Sequence, residues 1–137
     1  MTVASRVGES DLGKTPEMRL QAKLAQIVRD VEGVSAVAVG DAHGLPIAST
    51  IRRGKTMAAT AMATLLLRAG GQVMESLDLP TVQDILIEGG TWNVVVMALG
   101  EGFTLLVVFP GSANLGLLNI ELERIRPEIQ AIIEELR

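Results

Sequence analysis

The sequence predicts an α+β domain: a central antiparallel sheet of five strands with helices on both faces, in the order α-β-β-α-β-β-β-α. Three observations carry this expectation. Apolar residues recur at helical spacing in separate stretches near the start, the middle and the end of the 137-residue chain. Between those stretches lie short runs rich in Val, Ile and Leu, each about the length of a strand. The last three runs are joined by short links bearing Gly, which makes them antiparallel hairpins.

Residues 1–14 follow neither period and read as a flexible arm, which leaves 15–137 as one domain. Thr15-Pro16 is a helix start. The threonine hydroxyl can accept an N–H of the first turn, and Pro at the first helical position lacks only a donor the helix does not use. Leu20, Leu24, Ile27, Val28 and Val31 then mark one helical face, with Gly33 as the expected stop. Val34 to Gly40 reads as a strand, Asp41-Ala42-His43-Gly44 as a turn, and Leu45 to Thr50 as the returning strand. Pro46 puts that second strand at a sheet edge, because proline has no N–H for a ladder. A loop at Arg52, Arg53 and Gly54 leads into a long helix from Thr56 to Ser76, with Gly70-Gly71 as a weak point. Strands follow at Thr81 to Glu88, Thr91 to Leu99 and Gly102 to Phe109. The last helix carries Leu118, Leu122, Ile125, Ile129, Ile132 and Leu136, and Pro127 within that stripe is expected to kink it or split it in two.

Composition narrows the function. Hydrophobic residues make up 48% and charged residues 20%, the balance of a folded soluble protein. Trp92, Phe103 and Phe109 are the whole aromatic set, too few for a base-stacking platform. The net charge is −4 and the only adjacent basic pair is Arg52-Arg53, so nucleic acid is not an expected partner. There is no cysteine, which excludes disulfides and thiolate metal sites. Met1 to Lys14 has no apolar run that would make a signal peptide, and no apolar stretch reaches the roughly 18 residues of a spanning helix. No membrane insertion and a cytoplasmic location are expected.

The search for chemistry finds little. Ser49 to Thr56 (STIRRGKT) is similar to the phosphate loop GxxxxGK[ST], but Ser49 replaces its first Gly and Ile51, Arg52 and Arg53 crowd the cradle. No later strand ends in a carboxylate to help hold magnesium. His43 is the only histidine and sits in a turn beside Asp41, where solvation is the simpler role. Ser35, Ser49, Ser76 and Ser112 lack a nucleophile-elbow context. Asp84 and Glu88 share a strand face, yet no third oxygen ligand accompanies them. The Pro110 to Gly116 loop could bind an anion before the last helix, although Ser112 or Asn114 as a helix cap is the simpler reading. Trp92 reads as an apolar plug at the sheet end. No enzyme activity, catalytic residue, cofactor or metal is expected.

The middle helix points to self-association. On a helical wheel Ala58, Ala59, Met62, Ala63, Leu66, Leu67, Ala69 and Val73 form a broad apolar arc. Thr60, Thr64, Arg68 and Glu75 mark the opposite side, which also holds Met57 and Ala61, with Leu65 at its border. So narrow a solvated stripe suits a helix that meets another molecule, the plainer alternative being an Ala-rich helix that is merely stable. If the strand Thr81 to Glu88 lies at an edge, pairing it with its own copy across a two-fold axis would remove unpaired backbone groups. The expected dimer contacts are Met57, Ala61, Thr64, Leu65 and Arg68 of the helix, with Asp84, Ile85 and Leu86 of the strand.

Leu24 to Ser49 (LAQIVRDVEGVSAVAVGDAHGLPIAS) resembles the opening of a roadblock domain, of the dynein light chain roadblock type, whose hairpin turn carries D..G.P.A. Here those residues are Asp41, Gly44, Pro46 and Ala48. Ile85 to Leu122 resembles the family's three-strand meander, and Asn114-Leu115-Gly116 is similar to the start of its final helix. The resemblance covers about residues 16–126. It implies a profilin-like roadblock fold and a homodimer or heterodimer, with a sheet continued through the third strand and the middle helix. It also implies a non-catalytic scaffold or regulator of a small Ras-like GTPase, which in some bacterial members stimulates hydrolysis by reshaping the GTPase rather than by donating an arginine. By charge and position, Arg52, Arg53, Lys55 and Arg68 are the expected GTPase contacts. Two alternatives stay open: a passive assembly subunit of a larger complex, and a small-ligand sensor of profilin-like or PAS-like type, which the scarcity of buried-type polar groups disfavours.

Overall fold

In the computed structural model, which describes residues 13–137, Thr15 caps the first helix by accepting the Met18 N–H at 3.1 Å, with Pro16 in its first turn. This helix, α1 (Pro16–Asp30), ends before Gly33, whose φ of +94° instead turns the chain toward the sheet. The hairpin β1 (Ala36–Gly40) and β2 (Pro46–Ser49) follows, then α2 (Arg53–Ser76). The meander β3 (Asp84–Glu88), β4 (Trp92–Gly100) and β5 (Phe103–Pro110) leads to α3 (Leu115–Glu134). The element order and the five-stranded antiparallel sheet are those the sequence predicts. Residues 1–12 of the expected N-terminal arm lie outside the described residues.

Strand order is β2-β1-β5-β4-β3, so both β2 and β3 are edges. Side chains alternate across the sheet. Val37, Val39, Met97, Leu105, Val107 and Phe109 point to one face, where α1 and α3 lie side by side. Leu20, Leu24 and Ile27 of α1 and Leu118, Leu122, Ile125 and Ile129 of α3 complete that core. The apolar stripe of the last helix therefore packs on its own subunit. Lys23 with Glu128 and Arg19 with Glu135 tie the two helices together at their surface. The opposite face carries α2 alone, over the smaller cluster of Ala38, Ala63, Val96 and Leu106.

Three expectations about the helices are decided by local structure, and β3 begins at Asp84 rather than at the expected Thr81. α2 starts at Arg53 rather than Thr56, because the Thr56 hydroxyl bonds back to the carbonyls of Ile51 and Arg52 at 3.2 and 3.1 Å and holds the turn in helical form. Gly70-Gly71 stays helical, since a side chain at Gly70 would meet Ile85 within 2.9 Å and glycine admits that close approach. α3 runs unbroken through Pro127, so the expected division into two helices does not occur. Buried Ile125 and Ile129 anchor the turns on either side of the proline, and packing outweighs the one missing N–H.

The turn between β1 and β2 explains the D..G.P.A spacing. The Asp41 carboxylate accepts the N–H groups of His43 and Leu45 at 2.8 and 3.0 Å, closing the loop from inside. Gly44 adopts φ +84°, and Pro46 begins the edge strand. Asp41→Ala is expected to lower stability by about 1–2 kcal/mol through the loss of these two bonds, read as a lower urea midpoint with an unchanged slope.

Candidate interaction surface

α2 crosses the sheet from β2 to β3, touching every strand. Its Thr56 hydroxyl lies 3.2 Å from that of Ser49 in β2, the Thr60 hydroxyl donates to the Gly44 carbonyl at 2.8 Å, and Gly70 sits on Ile85 in β3. Five strands span about 19 Å. A helix of 24 residues runs about 36 Å, so the turns after Gly70 project beyond the β3 edge. Val73 and Leu77, 58% and 61% exposed, lie on that projection.

This packing reverses part of the wheel reading. Thr56, Thr60 and Thr64 form the inner face with Ala63, and none is more than 6% exposed. Their hydroxyls are short enough to let the helix ride on Gly40 and Gly44, and Thr56 and Thr60 turn theirs onto backbone carbonyls. Thr64, expected among the dimer contacts, is turned toward its own hairpin and offers no outer surface. Met57, Met62 and Leu65 lie outward instead, each more than half exposed. Ala61 is half-buried against Gly44, and Arg68 is exposed with its guanidinium donating to the Ala42 carbonyl at 3.1 Å. Threonine is ambiguous in a hydrophobic pattern, and only the glycines opposite could have signalled that it faces inward.

Beside α2, the sheet face is only partly covered. A groove of about 860 Å³ runs there, lined by Met62, Leu65 and Leu66 of the helix and by Ile87, Val94 and Val108 of the strands. Among the described residues, Arg52 and Lys55 are the only charged ones on its walls. Trp92 is 52% exposed, so it is not the plug the sequence suggested; the strand alternation puts it on the same side as Val94.

The two edges differ in protection. At β2 the Gln21 side chain caps Ser49, donating to its carbonyl at 2.7 Å and accepting its N–H at 2.9 Å, and Pro46 removes a donor. No such cover lies over β3 among the described residues. Leu86 and Ile87 are 42% and 45% exposed, Ile85 is half-buried, and Asp84 pairs with Arg126 at 2.6 Å. The aspartate is thus committed to an arginine, which accounts for one half of the weighed Asp84/Glu88 cation site.

Charge is divided between the faces. Arg19, Lys23, Arg124, Arg126 and Arg137 all pair with carboxylates. Among the described residues, Arg52, Arg53, Lys55 and Arg68 pair with none. Arg52, Arg53 and Lys55 also crowd the first turn of α2, which has no acidic residue, although a helix N-terminus favours negative charge. The cations are held there against local preference. At the other weighed sites, Ser49 and Thr56 spend their hydroxyls on the loop and helix start, His43 is exposed in its turn, and Asn114 caps α3 by accepting the Leu117 N–H at 3.1 Å. No described helix is long and apolar enough to cross a membrane.

Residues 20–109 match the Roadblock/LC7 domain. The structure is similar to Myxococcus xanthus MglB, at TM-score 0.78 and 19% identity, covering 88% of this chain and 92% of that one. It is similar to the gliding protein MglB from Thermus thermophilus, at TM-score 0.77 and 19% identity, covering 90% and 95%. Acanthamoeba castellanii profilin IB follows at TM-score 0.52 and 12% identity, covering 82% and 97%. At these identities the likeness establishes the profilin-like fold alone. Among curated proteins, none matches the sequence.

Proposed function

We propose, because this chain belongs to the Roadblock/LC7 domain family, that it is a non-catalytic dimeric platform which binds a small Ras-like GTPase in the cytoplasm. The folded unit of that platform is residues 15–137. The observation that carries the reading is the outer face of α2, where exposed Met57, Met62 and Leu65 lie among Arg52, Arg53, Lys55 and Arg68, cations that pair with no carboxylate among the described residues. An apolar centre with a charged rim is the anatomy of a protein-binding surface.

Self-association uses the other end of the same layer. The projecting turns of α2 reach past β3, and the β3 edge lacks cover. Pairing β3 with a second copy satisfies the edge and lays each projection, with Val73 and Leu77, toward the partner's partly covered sheet face. Met57, Arg52, Arg53 and Lys55 lie at the far end of α2, over β2, and are left to the GTPase, whereas Arg68 stands two residues from Gly70, nearer β3. Stimulation of hydrolysis, where it occurs, then comes from reshaping the GTPase.

Charge reversal tests the partner. Arg52→Glu with Arg53→Glu is expected to weaken binding of a Ras-like GTPase loaded with a GTP analogue by at least about tenfold, mostly through slower association. Calorimetry and stopped-flow binding read this, and the dimer mass should not change. Unchanged affinity would clear the two arginines. Absence of any complex with the unaltered protein would favour a passive assembly subunit.

A further inference from the structure

The layer of α1 and α3, on the far side of the sheet from α2, has an apolar exposure of its own. Leu117 and Ile120 are each 64% exposed, about one turn apart on the outer side of α3. They wall a groove of about 740 Å³ between the first turns of α3 and the end of α1. Val31 and Leu118, at 5% and 3% exposed, lie beneath it. Gly33 brings the chain after α1 close against the loop before α3, where a Cβ on it would stand 3.3 Å from that of Ala113. That contact holds the two walls together.

Charge on these walls has one sign. Asp30, Glu32 and Glu121 line the groove, and among the described residues no cation does. Glu32 is exposed and pairs with no cation among the described residues. Asp30 stands 3.3 Å from Arg29 and Glu121 2.6 Å from Arg124, the two arginines being 69% and 60% exposed, and ion pairs so open to water hold loosely. Asp30 and Glu32 also flank the C-terminus of α1, whose carbonyls add to the same negative potential and favour a cation beside them.

We propose that this groove docks a basic, amphipathic segment of a partner protein, its apolar side chains over Leu117 and Ile120 and its Lys or Arg beside Asp30 and Glu32. Apolar contact at the centre and opposite charge at the rim are what such a segment needs for affinity and orientation. A second copy of the same surface does not suit the groove, because a two-fold axis would set carboxylates against carboxylates. The site lies on the opposite layer of the sheet from the surface assigned to the GTPase, so both can be filled at once. The inference goes beyond the GTPase reading and does not depend on it.

Selection of a random peptide library displayed on phage reads both the site and its chemistry. The bait is the purified protein, and the double variant Leu117→Ser with Ile120→Ser serves for counter-selection. Both residues are exposed, so that variant is expected to keep its melting temperature and oligomeric mass. The expected result is enrichment of peptides that combine apolar residues with Lys or Arg. Synthetic copies of those peptides are expected to bind at least about tenfold more weakly to that variant and to Asp30→Lys with Glu32→Lys. Arg52→Glu with Arg53→Glu is expected to leave their affinity unchanged. Enrichment of acidic or uncharged peptides overturns the chemistry of the partner. Peptides indifferent to Leu117 and Ile120, or no enrichment, overturn the site. Growth of mass with concentration that Asp30→Lys with Glu32→Lys abolishes assigns the groove to a second copy and overturns the proposal.

Discussion

Leu86→Pro is expected to convert the dimer into a monomer, raising its dissociation constant by at least about a hundredfold, or about 3 kcal/mol. Proline usually destroys a strand by removing a ladder bond. Here the Leu86 N–H faces outward, so the β3–β4 ladder keeps its bonds and only the seam between copies loses a donor. The ring and the missing donor obstruct pairing along that open edge, and the loss is counted in both copies. Ile85→Pro is the contrasting variant, because that N–H faces β4 and its removal damages the monomer itself. Sedimentation velocity across a concentration series reads both. A Leu86→Pro protein that remains dimeric would place the contact elsewhere.

Gly44→Val is expected to destabilise the protein by about 3–4 kcal/mol and to lower the melting temperature by about 10 °C. Two costs combine. Gly44 has φ +84°, a conformation that β-branched residues essentially never adopt. A Cβ there would also stand 3.1 Å from the Ala61 Cα, which belongs to the helix backbone and cannot swing aside as a side chain would. Yielding means lifting α2 off the hairpin, which breaks the bond from Thr60 to the Gly44 carbonyl and tilts the cationic first turn. GTPase binding is expected to fall with stability in this variant. Differential scanning calorimetry measures the first effect, and a melting temperature within a few degrees of the original would show that the helix does not rest on this turn.

The sheet and helices were legible because their signals are local. Thr15-Pro16, Gly-bearing links and the Leu118 to Leu136 stripe each declare an element without reference to the rest of the chain. The edge position of β2 followed from Pro46 alone. The inner face of α2 was not legible, because Thr60 is polar on a wheel and apolar in use once its hydroxyl turns onto a backbone carbonyl. Trp92 departs from its expectation for a related reason: size and hydrophobicity suggest burial, while it stands 52% exposed at the start of β4. The cations of the surface were visible as residues, and their lack of carboxylate partners became visible only when the other arginines were seen to be paired.

Light scattering of the protein, alone and with a Ras-like GTPase from the same organism in each nucleotide state, tests the central claim most directly. The expected result is a dimer by itself and a complex of dimer with GTPase that forms with the GTP analogue and not with GDP. A dimer that ignores the GTPase in both states would contradict it.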